Sequence, residues 1–175
     1  MTDVEVIVDL VTEPVSLPEA KRWLRIDPDF NLDDTFITGL ISDARVSLEK
    51  YTGLSFGEKT LKQYSEKCRV EILHGPVTSI ESITGISGKE INIDFHAIRF
   101  PILSVGEPVF ITYKAGYPEG KLPTPLKDAI LMQVATDYEN REDYVLSNNN
   151  ASVGVIELSN ASKRKADPFR RNLFL

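Results

Sequence analysis

Two stretches with helical periodicity, residues 15–56 and 114–144, flank residues 60–113, where apolar groups instead come in short runs punctuated by Gly, Pro and Ser. A period of 3.6 cannot be laid down as strand, nor a period of 2 as helix, so the chain must fold as a helical body interrupted by sheet. The expected class is α+β: a mainly helical core of three principal helices, an antiparallel β-rich insert between the second and third, and an extended C-terminal tail. The expected domains are a single one over 1–144, a flexible linker at 145–162 rich in Asn, Ser and Ala, and a tail at 163–175.

The first helix is placed at 16–24. Ser16 and Glu19 have the spacing of a capping box, in which the hydroxyl bonds the Glu19 amide and the carboxylate reaches back, while Pro18 suits the first turn. It ends before Pro28, since a residue preceding proline disfavours helical torsions. The second, at 33–52, carries Phe36, Ile37, Leu40, Ile41, Ala44, Leu48 and Tyr51 on one face, with Asp43, Arg45, Glu49 and Lys50 largely opposite, and Gly53 as its stop. The third, at 124–143, takes Thr124 as N-cap and Pro125 as first residue, and stacks Leu126, Ile130, Val134 and Tyr138, widened by Ala129, Leu131 and Ala135. Alternation over 4–11 predicts an N-terminal strand or arm, and 69–73, 79–86, 90–95 and 108–114 are the strands expected in the insert.

The chain of 175 residues is long enough for a real core, and its single cysteine, Cys68, rules out an intrachain disulfide. The opening MTDVEVIVDLVTEP is broken by acids and is read as neither signal peptide nor membrane span. Net charge is −6, unevenly held: Lys163, Arg164, Lys165, Arg170 and Arg171 against Asp167 give residues 159–175 a net of +4 and leave −10 on the rest. Such a body repels nucleic acid, whereas its tail attracts phosphate or an acidic protein surface.

No residue pattern specifies chemistry. Asp27, Asp29, Asn31 and Asp33 imitate half a calcium loop, but Leu32 stands where the turn needs glycine and Thr38 where a bidentate glutamate should close it. His74 and His96 belong to no two-histidine motif, and Gly53, Gly57, Gly116 and Gly120 form no phosphate loop. Trp23 suits packing better than base stacking. The triplets Asn150-Ala151-Ser152 and Asn160-Ala161-Ser162 read as loop chemistry. Catalytic, cofactor and metal sites are therefore expected to be absent, and function to lie in surfaces. The candidate docking residues are Lys163, Arg164, Lys165, Phe169, Arg170, Arg171, Leu173, Phe174 and Leu175, cations and apolar groups beyond the linker.

Several segments, in order, carry a resemblance: VSLPEAKRWLRID at 15–27, LISDARVSLEKYTG at 40–53, YKAGYP at 113–118, LPTPLKDAI at 122–130, DYENRED at 137–143 and ADPFRR at 166–171. The chain resembles the head-tail connector (adaptor, head-completion) proteins of tailed bacteriophages and prophages, with nothing recognisable in the insert or at 145–165. The resemblance implies a structural virion protein at the head-tail interface, assembled in the host bacterial cytoplasm without cofactor, membrane or small-molecule substrate. Its implied partners are the portal protein, neighbouring copies in a ring, and a stopper or tail-completion protein, with phage DNA passing through the channel without sequence-specific binding. The alternative is a phage DNA-packaging accessory or nucleic-acid-binding module that sets the tail's cations on phosphates.

Overall fold

A computed structural model of the chain describes residues 2–93, 99–140 and 158–171. They form α+β architecture in two compact units, each assembled from separated segments: a sheet unit (1–12 and 53–122) and a helical unit (13–52 and 123–175).

The sheet unit holds β1 (Thr2–Val8), β2 (Lys59–Ser65), β3 (Arg69–Glu71), β4 (Val77–Gly85), β5 (Ile102–Ser104) and β6 (Val109–Ala115). Four strands form an antiparallel sheet in the order β1-β2-β6-β4, and β3 pairs with β5 in a ribbon. Alternation in β6 sets which face is covered: Val109, Ile111, Tyr113 and Ala115 are buried while Phe110 and Lys114 are exposed. Leu61, Val70, Ile72, Val77, Ile83 and Leu103 complete that core. Burying each Val, Leu or Ile contributes about 1.5 to 3 kcal/mol. On the other face Phe110 stacks on Tyr64 with ring centroids 5.0 Å apart, under the Lys62 ammonium at 5.1 Å.

The expected arm is therefore an edge strand of the main sheet. β2 and β5 are strands that the alternation did not disclose. The strand expected at 90–95 is absent over 90–93, where the chain runs beside β4 through one bridge, Thr84 to Glu90, and the Ile91 N–H bond to Ile83 O at 2.9 Å; residues 94 and 95 lie outside the described residues. β2 carries no apolar alternation because three of its four inward residues are polar: Lys59, Gln63 and Ser65 are buried beside Leu61. Gln63 is satisfied as a strand peptide would be, donating from Nε2 to Glu71 O at 2.9 Å and accepting from Leu73 N at 3.0 Å.

The helical unit holds α1 (Leu17–Leu24), α2 (Asp34–Thr52), α3 (Thr124–Glu139) and α4 (Asn160–Ala166), followed by a 3₁₀ turn, Asp167–Phe169. Three helices match the expected ones, with corrections at their ends. Ser16 makes no side-chain cap; its carbonyl accepts from Ala20 N at 3.0 Å, and the Glu19 carboxylate accepts instead from Lys127 Nζ of α3 at 3.2 Å. Thr124 lies inside α3, whose N-cap is Pro123, and the helix stops at Glu139 rather than 143.

In α2 the buried stripe is Ile37, Ile41, Ala44 and Leu48, continuing to Thr52; Leu40 and Tyr51 are half-buried and Phe36 is exposed. The stripe is rotated because Arg45 and Glu49, expected on the solvent side, are buried as an ion pair. The Arg45 guanidinium donates to Glu13 Oε2 at 2.8 Å and to Glu49 Oε2 at 3.0 Å, so each charge is matched by hydrogen bonds.

The largest departure is at the C-terminus. Residues 158–171, expected partly as linker and partly as extended tail, form α4 and its 3₁₀ turn packed on α2 and α3; 145–157 lie outside the described residues.

Candidate interaction surfaces

Gln133, buried on α3, is the residue on which α4 is seated. Its Oε1 accepts from Ser159 N at 2.8 Å and from Ser162 Oγ at 2.9 Å, and its Nε2 donates to Asp137 Oδ1 at 2.9 Å. Ser159 is the α4 N-cap, its hydroxyl accepting from Ser162 N at 3.1 Å. Ser162 and Ala166 are fully buried beneath the helix. The triplet read as loop chemistry at 160–162 is thus the first turn of a helix.

Further contacts finish the seat. Lys165 Nζ lies 3.2 Å from Asp128 Oδ2, Tyr51 OH donates to Asp167, the Arg170 guanidinium stacks 4.8 Å over the Tyr51 ring, and Arg171 N–H reaches Thr52 O at 2.9 Å. The hydrogen bond to Asp167 raises the Tyr51 phenol above its ordinary value, with burial and the Asp167 charge adding and Arg170 opposing. Burial raises the Asp137 carboxyl, opposed by the Gln133 hydrogen bond and assisted by Asp43.

Of the expected docking residues, Lys163, Lys165 and Phe169 are half-buried, and Arg164 and Arg170 are exposed. Leu173, Phe174 and Leu175 lie outside the described residues. Gln133, Tyr51 and Asp128 escaped sequence reasoning, although Ser159 followed by a short Ala- and Lys-containing run is a helix-start signal.

The seated segment borders an open groove of ≈ 530 Å³, lined by Ser47, Lys50, Tyr51, Leu158 and Lys163. At the other end of α2, the connection from α1 and the first turn of α2 expose Phe30, Leu32 (82% exposed) and Phe36 among Asp27, Asp29, Asp33 and Asp34. Trp23, also exposed, lies on α1. The acids of the calcium-like run have other duties. Asp27 Oδ1 accepts from Asp29 N at 2.9 Å, Asp33 Oδ2 from Tyr138 OH at 2.5 Å, and Asp34 pairs with buried Lys21 at 2.8 Å. Among the described residues no three His, Cys, Asp or Glu side chains group as metal ligands. In the sheet unit, edge strand β1 exposes Val6, Ile7 and Val8 by about half each, Cys68 is an exposed thiol before β3, and His74 is half-buried; His96 lies outside the described residues.

The family model for phage gp6-like head-tail connector proteins matches residues 14–160. Among solved structures, the chain is similar to one in the neck of an empty GTA particle computed with C6 symmetry, with a TM-score of 0.73 and 16% identity, covering 99% of this chain and 97% of that one. A chain of the virion of a native gene transfer agent (GTA) particle gives 0.73 and 15%, covering 98% and 97%. One in the neck of the native GTA particle computed with C12 symmetry gives 0.70 and 15%, covering 99% and 97%. No curated protein matches the chain.

Proposed function

The chain belongs to the phage gp6-like head-tail connector family, and from that premise we propose that it assembles as a ring in the neck of a virion, docks on the portal and extends the DNA channel toward a stopper or tail. The observation that carries this reading is the family match over residues 14–160, which runs through the helical unit, the sheet unit and the start of α4. The similar chains come from particle necks computed with C6 and C12 symmetry, which supports a ring. Residues 1–144 serve in this reading as one connector domain, with the join to the C-terminal segment falling within 145–162. The role needs no catalysis and no cofactor, and assembly takes place in the bacterial cytoplasm.

Docking on the portal falls to the C-terminal segment: Lys163, Arg164, Lys165, Phe169, Arg170 and Arg171, with Leu173, Phe174 and Leu175 beyond. Arginines pair bidentately with carboxylates and fix register, while the apolar end supplies burial. A DNA-packaging role is less well supported, because Lys165 is paired with Asp128 and Arg170 is stacked on Tyr51, so part of the tail's charge is used within the chain.

Electron microscopy of the purified protein added to portal-containing heads tests the reading, with a ring of density beneath the portal as the expected result. Deleting 168–175 should abolish that attachment; truncated protein that still joins heads to tails at normal efficiency would refute C-terminal docking. Little duplex DNA should bind at physiological ionic strength. Tight binding whose salt slope shrinks when Lys163, Arg164 and Lys165 become alanine would instead establish the DNA-binding role.

A further inference from the structure

Two surfaces of the helical unit are complementary and stand at opposite ends of one helix. Around its N-terminal end, residues 26–36 hold four acids and no base, with Phe30 and Leu32 projecting between Asp29 and Asp33. At its C-terminal end lies the groove of Ser47, Lys50, Tyr51, Leu158 and Lys163, with the Arg170 guanidinium stacked on the Tyr51 ring. From Phe36 to Tyr51 a helix advances about 22 Å at 1.5 Å per residue, and α2 is unbroken over that length. The loop therefore cannot enter the groove of its own chain. Opposite patches on a rigid body join head to tail, a contact that generates rings or filaments.

We propose that residues 27–32 of one copy dock in the Lys50–Lys163 groove of the next, with Leu32 against the half-buried Tyr51 and with Asp27 and Asp29 facing the two ammonium groups. The proposal rests on the ring reading and assigns it a pair of surfaces. A volume of ≈ 530 Å³ accommodates a few side chains, and Leu32, 82% exposed, has the most to gain from burial there among the loop's apolar groups. Charges on both sides set register and make the encounter salt-dependent.

Charge reversal tests it on the full chain. One variant carries Asp27→Lys and Asp29→Lys, the other Lys50→Glu and Lys163→Glu. Each alone should lose self-association in analytical ultracentrifugation at low salt. An equimolar mixture should regain it, because the reversed loop matches the reversed groove and the native loop the native groove. Recovery on mixing also shows that both variants are folded. In a Cys68→Ser background, Asn31→Cys and Ser47→Cys proteins should give the mixed disulfide in preference to either homodimer, and 1 M salt, where the screening length falls to about 3 Å, should suppress it.

Self-association that survives both reversals, or homodimeric cross-links in place of the mixed one, overturns this pairing while leaving the ring reading intact. Protection of the S47C thiol in the monomer would mean that residues 141–157 of the same chain fill the groove, and would equally overturn it. A chain that neither self-associates nor forms rings on heads overturns both.

Discussion

Replacing Gln133 with leucine separates the seat of α4 from the stability of the rest of the fold. Leucine has nearly the volume of glutamine, so no cavity opens and the change is one of hydrogen bonding. Three bonds go: those from Ser159 N, from Ser162 Oγ and to Asp137. Ser162 Oγ keeps Ser159 O at 2.9 Å, and half-buried Asp137 turns to water, which leaves the Ser159 N–H as the group stranded at the interface. One stranded buried donor costs about 1 to 3 kcal/mol. A midpoint of about 2 kcal/mol corresponds to roughly a 30-fold rise in the undocked population. A seven-residue helix is too short to persist alone, so undocking means unwinding. Native-state hydrogen exchange should therefore show the amides of residues 163–166 speeding up by about 30-fold while those of β2 and β6 hold their rates. A change below about threefold, or equal acceleration in the sheet, would refute the assignment of Gln133 as the seat, because a stranded donor of this kind cannot cost so little.

Ile41→Ala should cost about 2 to 5 kcal/mol in denaturant unfolding, and Leu40→Ala clearly less, since Ile41 is buried and Leu40 only half so; the reverse order would put the α2 stripe back where periodicity alone placed it. Asp137→Asn keeps an acceptor for Gln133 and should stabilise the protein at neutral pH. The folded carboxyl has the higher pKa, so its neutral form contributes stability that is present below the unfolded value and lost as pH rises through the folded one; thermal midpoints of parent and variant should converge in acid, and a gain that persists there would contradict the sign. Gly116→Ala should abolish a cooperative unfolding transition, because φ is +123° and a methyl there would lie 1.9 Å from Gly57 O; a soluble variant with an unchanged midpoint would contradict the geometry.

The sequence disclosed what apolar spacing governs and concealed what polar pairing governs. Three helices and the class were legible because Ile37, Ile41, Ala44, Leu48, Ile130 and Val134 repeat at helical spacing. The rotation of α2 was hidden, because burying Arg45 needs Glu13, from outside the helix, in addition to Glu49. Gln63 hid β2 in the same way, and Gln133 hid the docking of α4. In each case a long polar side chain is buried by partners that apolar periodicity does not mark: Arg45 by Glu13 and Glu49, Gln63 by the backbone of Glu71 and Leu73, and Gln133 by Ser159 and Ser162. The candidate surfaces followed suit: the cations of the C-terminal segment were visible as charge, but the groove needs Ser47 and Lys50 of α2 brought beside Leu158 and Lys163.

The nesting of the two units has a consequence during synthesis. The sheet unit has all its strands once residue 115 has emerged, whereas α2 must wait for α3 while residues 53–122 are made. At ~5–20 residues per second that interval is on the order of 4 to 14 s, during which the face of Ile37, Ile41 and Leu48 lacks its partner helix. Leu158 and Lys163 emerge later still, so the groove is the last of these surfaces to exist. A nascent chain thus offers its acidic loop early and its receptor late, and two ribosomes translating neighbouring copies cannot join them head to tail until one has released the segment through residue 163.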